Sequence, residues 1–133
     1  MKKIEHIGIA VANLEQANKL YSTILNSKPY RIEAVESEGV ITSFFKCKDT
    51  KIELLQGIDE KSAISKFIKK RGEGVHHLAF EVDDIVSEIK RLKELGFEII
   101  NEKPKKGAGN KLICFIHPKS TNHVLIELCQ KIK

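Results

Sequence analysis

I-E-H-I-G-I-A-V-A-N-L at 4–14 and V-H-H-L-A-F-E-V-D-D-I at 75–85 are two versions of one stretch, and their match decides the fold. His6 falls on His77 when the two are laid together, a shift of 71 residues. A second pair follows later in each half: K-I-E-L-L at 51–55 and L-I-E-L at 125–128, where Glu53 falls on Glu127 with a shift of 74. Each half carries one histidine near its start and one glutamate near its end. Two halves related by a pseudo-twofold axis bring two imidazoles and two carboxylates to one point, which is the requirement of a divalent metal.

The segments between these stretches repeat as well. A strand over Lys3–Val11 leads into an amphipathic helix capped at Asn13, with Gln16 three residues on. Leu14, Ala17, Leu20, Tyr21, Ile24 and Leu25 recur at helical spacing. Three strands are expected near Tyr30–Glu36, Gly39–Lys46 and Lys51–Leu55. A connecting segment at about 57–73 holds a short helix, S-A-I-S-K-F-I-K-K. The second half repeats the order with a strand at Val75–Val82, a helix from about Asp84 to Leu95 ended by Gly96, and strands near Glu98–Asn101, Lys111–Ile116 and Val124–Cys129. The order βαβββ, twice, predicts a single α+β domain over residues 1–133, with module one at about 1–56 and module two at about 74–133. The expected architecture is a mainly antiparallel half-barrel whose two modules share a metal-centred cleft.

Strand alternation places the metal candidates. His6 shares a face with Gly8 and Ala10, and His77 shares one with Ala79 and Glu81. The very small residue two positions after each histidine leaves room above the imidazole. Glu53 points opposite to Ile52 and Leu54, and Glu127 points opposite to Ile126 and Leu128. A charged side chain in the middle of such a strand needs water, a partner or a metal. Each of these four residues alone reads as an ordinary strand position, but all four at repeat-equivalent positions read as ligands. Two imidazoles and two carboxylates suit Co²⁺, Ni²⁺, Mn²⁺, Fe²⁺ or Zn²⁺, with positions left for water or a bidentate substrate. His76 points to the opposite face and reads as structural. His117 and His123 lie in turns. The loop Gly107-Ala108-Gly109-Asn110 reads either as a hairpin connection or as backbone that approaches a phosphate or thioester.

Bulk composition narrows the function classes. The 133 residues are 41% hydrophobic and 31% charged, as in an ordinary globular protein. Its apolar runs are strand-length, so no membrane span is expected, and M-K-K-I-E-H lacks the apolar run of a signal peptide, which predicts a cytoplasmic protein. Cys47, Cys114 and Cys129 form no C-x-x-C pair, which excludes a disulfide framework and a structural zinc site of that kind. The net charge of +5 is compatible with a phosphorylated metabolite. Its lysines are interleaved with glutamates and no aromatics separate basic residues, so no nucleic-acid partner is expected.

At these residues the chain resembles the vicinal oxygen chelate superfamily, and within it the methylmalonyl-CoA epimerases, over nearly its whole length. The resemblance rests on I-E-H-I-G-I-A-V, T-K-I-E-L-L at 50–55, G-V-H-H-L-A-F-E-V-D-D-I at 74–85, G-A-G-N-K at 107–111 and H-P-K-S…V-L-I-E-L at 117–128. It implies that His6, Glu53, His77 and Glu127 hold one divalent metal ion. It also implies abstraction and return of the α-proton of methylmalonyl-CoA through a metal-stabilised enolate, with Glu127 as a catalytic base. Gly109 and Lys111 are the expected substrate contacts, an acyl-CoA or thioester the expected partner, and a homodimer the expected assembly. Some epimerases carry a carboxylate base where Thr42 stands, so the second base is unassigned. The same ligand set serves a glyoxalase I (lactoylglutathione lyase), which is the alternative reading. An Fe²⁺ extradiol dioxygenase leaves Glu53 surplus, and a metal-free resistance protein that only binds small molecules leaves all four ligands unexplained.

Overall fold

A computed structural model describes residues 1–133. It contains β1 (Lys3–Ala10), α1 (Leu14–Leu25), β2 (Arg31–Val35), β3 (Val40–Cys47), β4 (Thr50–Gly57), α2 (Ala63–Arg71), β5 (Gly74–Glu81), α3 (Ile85–Glu94), β6 (Lys105–Gly107), β7 (Lys111–Ile116) and β8 (Ile126–Lys131). The fold is α+β and the βαβββ plan occurs twice. No helix is long and apolar enough to cross a membrane. Two compact units are present: His6–His76, and Met1–Glu5 together with His77–Lys133.

In the first of these units the strand order is β2-β3-β4-β1. β1 runs parallel to β4, while β3 is antiparallel to both β2 and β4. One sheet face packs α1: Leu14, Ala17, Tyr21 and Leu25 lie on Ile9, Ile41, Phe45, Ile52 and Leu54. Phe45 and Leu54 are fully buried there, each contributing roughly 1.5–3 kcal/mol. Asn13 accepts the N–H of Gln16 at 3.0 Å, and the Gln56 side chain accepts the N–H of Leu14 at 2.6 Å. Both bonds satisfy donors that a helix N-terminus leaves unpaired.

The other unit repeats this in the order β5-β8-β7-β6, with β5 parallel to β8 and antiparallel pairs beyond it. Ile85, Ile89 and Leu92 of α3 pack on Cys114, Ile116 and Leu128. Asp84 accepts the N–H of Ser87 at 3.1 Å and Gln130 accepts that of Ile85 at 2.8 Å. The N-terminal residues join this unit through Lys2, whose N–H donates to the Glu81 carbonyl and whose ammonium stands 2.8 Å from Asp83.

One expected strand is displaced. Glu98–Asn101 forms only a single bridge, Ile99 to Ile116, and the edge strand is β6, inside the segment expected to be a loop. The cause is Asn101. Its side-chain amide donates to the carbonyls of Lys103 and Ile113, and its oxygen accepts the N–H of Phe115. That side chain takes the place of ladder bonds, and Pro104, lacking an N–H, delays regular pairing until Lys105. The last strand also starts later than expected, at Ile126 rather than Val124, after a turn in which Asn122 and His123 both take positive φ.

Candidate metal centre and active site

Register carries each glutamate to its histidine. In the His6–His76 unit, Glu53 stands opposite Gly8 on the neighbouring parallel strand. The missing side chain at Gly8 lets the carboxylate lie along β1 toward His6, and Nδ1 of His6 is 3.1 Å from Oε2 of Glu53. In the other unit Glu127 stands opposite Ala79, and Nε2 of His77 is 3.2 Å from Oε1 of Glu127. All four residues are buried. They sit on the sheet face away from the helices, as alternation from Leu54 and Leu128 requires.

A phenylalanine stands beside each glutamate, at a position that reads as core in the sequence. Phe44 is the register partner of Glu53, and Phe115 is that of Glu127. These two phenylalanines are 71 residues apart, the same shift as the histidines. Phe115 meets the His77 ring edge-on, with centroids 6.0 Å apart and planes at 90°. Each half-site is therefore an imidazole and a carboxylate held against an aromatic wall, with one very small residue beside them.

The remaining sequence candidates fall elsewhere. His76 packs edge-on against Phe67 at 4.9 Å. His117 caps a short turn by accepting the N–H of Lys119, and His123 is exposed. Gly109 (φ +68°) and Asn110 (φ +56°) supply the left-handed backbone of the β6–β7 hairpin. Lys111 alternates along β7 with Ile113 and Phe115, so it shares a sheet face with Glu127. Its ammonium is buried 3.4 Å from Oε1 of Glu5, which has no exposed surface.

Thr42 and Glu33 drew no ligand reading from the sequence. The alternation Thr42-x-Phe44 opposite Leu55-x-Glu53 puts Thr42 on the site face, and Glu33 is its partner on β2. Thr42 is wholly buried and its hydroxyl has no hydrogen-bond partner.

A family model described as the glyoxalase/bleomycin resistance protein/dioxygenase superfamily matches residues 5–115. The mitochondrial methylmalonyl-CoA epimerase of Dictyostelium discoideum is 40% identical over 97% of this chain and 78% of its own length. The ethylmalonyl-CoA/methylmalonyl-CoA epimerase of Cereibacter sphaeroides is 38% identical over 96% of this chain and 97% of its own. A solved variant of the Streptomyces coelicolor methylmalonyl-CoA epimerase, in complex with 2-nitronate-propionyl-CoA, superposes with a TM-score of 0.95 at 31% identity. It covers 98% of this chain and 95% of its own. The chain belongs to the glyoxalase/bleomycin resistance protein/dioxygenase superfamily and is an enzyme of the isomerase class.

Proposed function

We propose that the protein is a divalent-metal-dependent epimerase of methylmalonyl-CoA in which His6, Glu53, His77 and Glu127 together hold one cation. The duplicated imidazole–carboxylate pair carries this reading, with the near-full-length relatives named for the reaction supplying the substrate. The donor set fits the ion: two imidazole nitrogens and two carboxylates are what a first-row divalent metal takes. Burying two carboxylates against phenylalanines is costly without a cation to offset their charge.

When bound, the cation supplies Lewis acidity to the oxygens flanking the α-carbon, where negative charge develops as the proton leaves. Glu127 exchanges a proton with one face of the α-carbon, as acceptor for one epimer and donor for the other. Phe44 and Phe115 keep water from the carbon while it is electron-rich. Gly8 and Ala79 leave the space that a thioester and a carboxylate occupy. Gly109, in the β6–β7 hairpin, contacts the remainder of the substrate, while Lys111, expected to do the same, is held in its buried ion pair with Glu5. The working protein is a cytoplasmic homodimer.

The test is turnover of methylmalonyl-CoA by Co²⁺-loaded protein, then after chelation, then after Co²⁺ is returned. Epimerisation that disappears on chelation and returns with the metal is expected. Turnover of the glutathione–methylglyoxal hemithioacetal in its place would transfer the assignment to a glyoxalase I. Purified protein that binds neither metal nor substrate-linked activity would leave a small-molecule-binding resistance protein of the same fold.

A further inference from the structure

Inverting a tetrahedral carbon requires a proton taken from one face and a proton given to the other. Glu127 serves one face, and a second group must stand across the substrate. On the wall of the His6–His76 unit, register identifies every side chain that shares the Glu53 face. Phe44 and Thr42 lie on β3, with Arg31 and Glu33 opposite them on β2. Among the side chains that register places on that face of β2, β3 and β4, Glu33 and Glu53 are the carboxylates.

Two observations set Glu33 apart from a surface glutamate. The first is that it is held: Nη2 of Arg31 is 2.9 Å from its Oε1, and its side chain is only 27% exposed. The Arg31 guanidinium in turn lies 5.8 Å from the Phe44 ring centroid, so the ring beside Glu53 also anchors the arginine that aims Glu33. The second is Thr42, directly between Glu33 and Leu55 in the ladder. Its fully buried hydroxyl without a partner marks a place on this wall where a polar ligand atom is wanted. Two strand spacings separate β2 from β4, roughly 10 Å, which gives an acyl group room to lie over Phe44 and Thr42.

We propose that Glu33 is the second catalytic base, with Thr42 positioning the substrate between it and the metal ligands; this rests on the epimerase reading above. In one direction the Glu33 carboxylate takes the α-proton. Its O–H bond forms as the C–H bond breaks, and the released pair passes into the thioester carbonyl to give the enolate. Glu127, entering as the carboxylic acid, delivers its proton to the opposite face as the pair returns to carbon. Glu33 finishes protonated and Glu127 ionised, and exchange with solvent resets both. The reverse direction exchanges their roles.

Each epimer of methylmalonyl-CoA should be followed separately in D₂O with Co²⁺-loaded wild type, Glu33→Gln and Glu33→Asp, scoring deuterium at the α-carbon and configuration independently. Wild type is expected to exchange and invert both epimers. Glu33→Gln is expected to lose inversion by roughly 10²- to 10⁴-fold while one epimer alone continues to exchange without inverting. Glu33→Asp, keeping the carboxylate, is expected to retain part of the inversion. A folding or packing role would slow exchange and inversion together for both epimers, and that result overturns the proposal. So does Glu33→Gln inverting at the wild-type rate. Wild type that neither exchanges nor inverts defeats the epimerase reading itself, and the role of Glu33 with it.

Discussion

Glu53 and Glu127 can reach a histidine because the residue beside each has almost no side chain. Ala79 is fully buried against Glu127, so Ala79→Leu should overpack the site, cost about 1–3 kcal/mol and weaken Co²⁺ binding. A thermal melt and a Co²⁺ titration report the two effects separately. The two histidine–glutamate pairs were legible in the sequence because a repeat doubles a weak signal. Phe44 and Phe115 carry the same 71-residue shift, yet an aromatic in a strand reads first as core, and only register shows that they face the glutamates. The thiols divide by environment: burial, with the Glu127 charge adding to it, pushes the Cys114 thiol up to about 12. Cys47 is exposed, whereas Cys129, like Cys114, is buried. Native protein treated with iodoacetamide at neutral pH should be alkylated at Cys47 and protected at Cys114, as peptide mass mapping will show; equal labelling of both would contradict this.

At the scale of elements, a glutamine three residues after each buried glutamate, still within β4 or β8, bonds to a helix start. Gln56 and Gln130, 74 residues apart like the glutamates, accept the first N–H of α1 and α3. Gln130→Ala should therefore cost about 1–3 kcal/mol by leaving a part-buried donor unpaired, and urea denaturation should show a lower midpoint with an unchanged slope. Gln56→Ala is expected to do the same. Helix starts were readable from Asn13 and Asp84, since local caps are written locally. The displaced edge strand was not, because Asn101 bonds to Ile113 and Phe115 more than ten residues away and nothing in E-I-I-N announces it. Asn101→Ala removes those bonds, and loss of stability without loss of metal binding is the expected outcome.

At the scale of the whole molecule, each copy of the βαβββ plan carries one buried histidine–glutamate pair, and the proposed metal needs both. The repeat made the doubled βαβββ order legible. What it did not reveal is that Met1–Glu5 groups with the second unit, where Glu5 meets Lys111 in a buried ion pair. Lys111→Met strands the Glu5 carboxylate, and removing one partner of such a pair costs about 3–5 kcal/mol; a chemical melt of that variant beside Glu5→Gln/Lys111→Met checks it. The central claim is that both halves grip a single ion. Co²⁺ titration of the apoprotein by calorimetry, with metal content verified by elemental analysis, tests it most directly in wild type, His6→Ala and His77→Ala. One ion per chain, with tight binding lost in either variant, is the expected result. Two ions per chain, or one that survives in either variant, would contradict it.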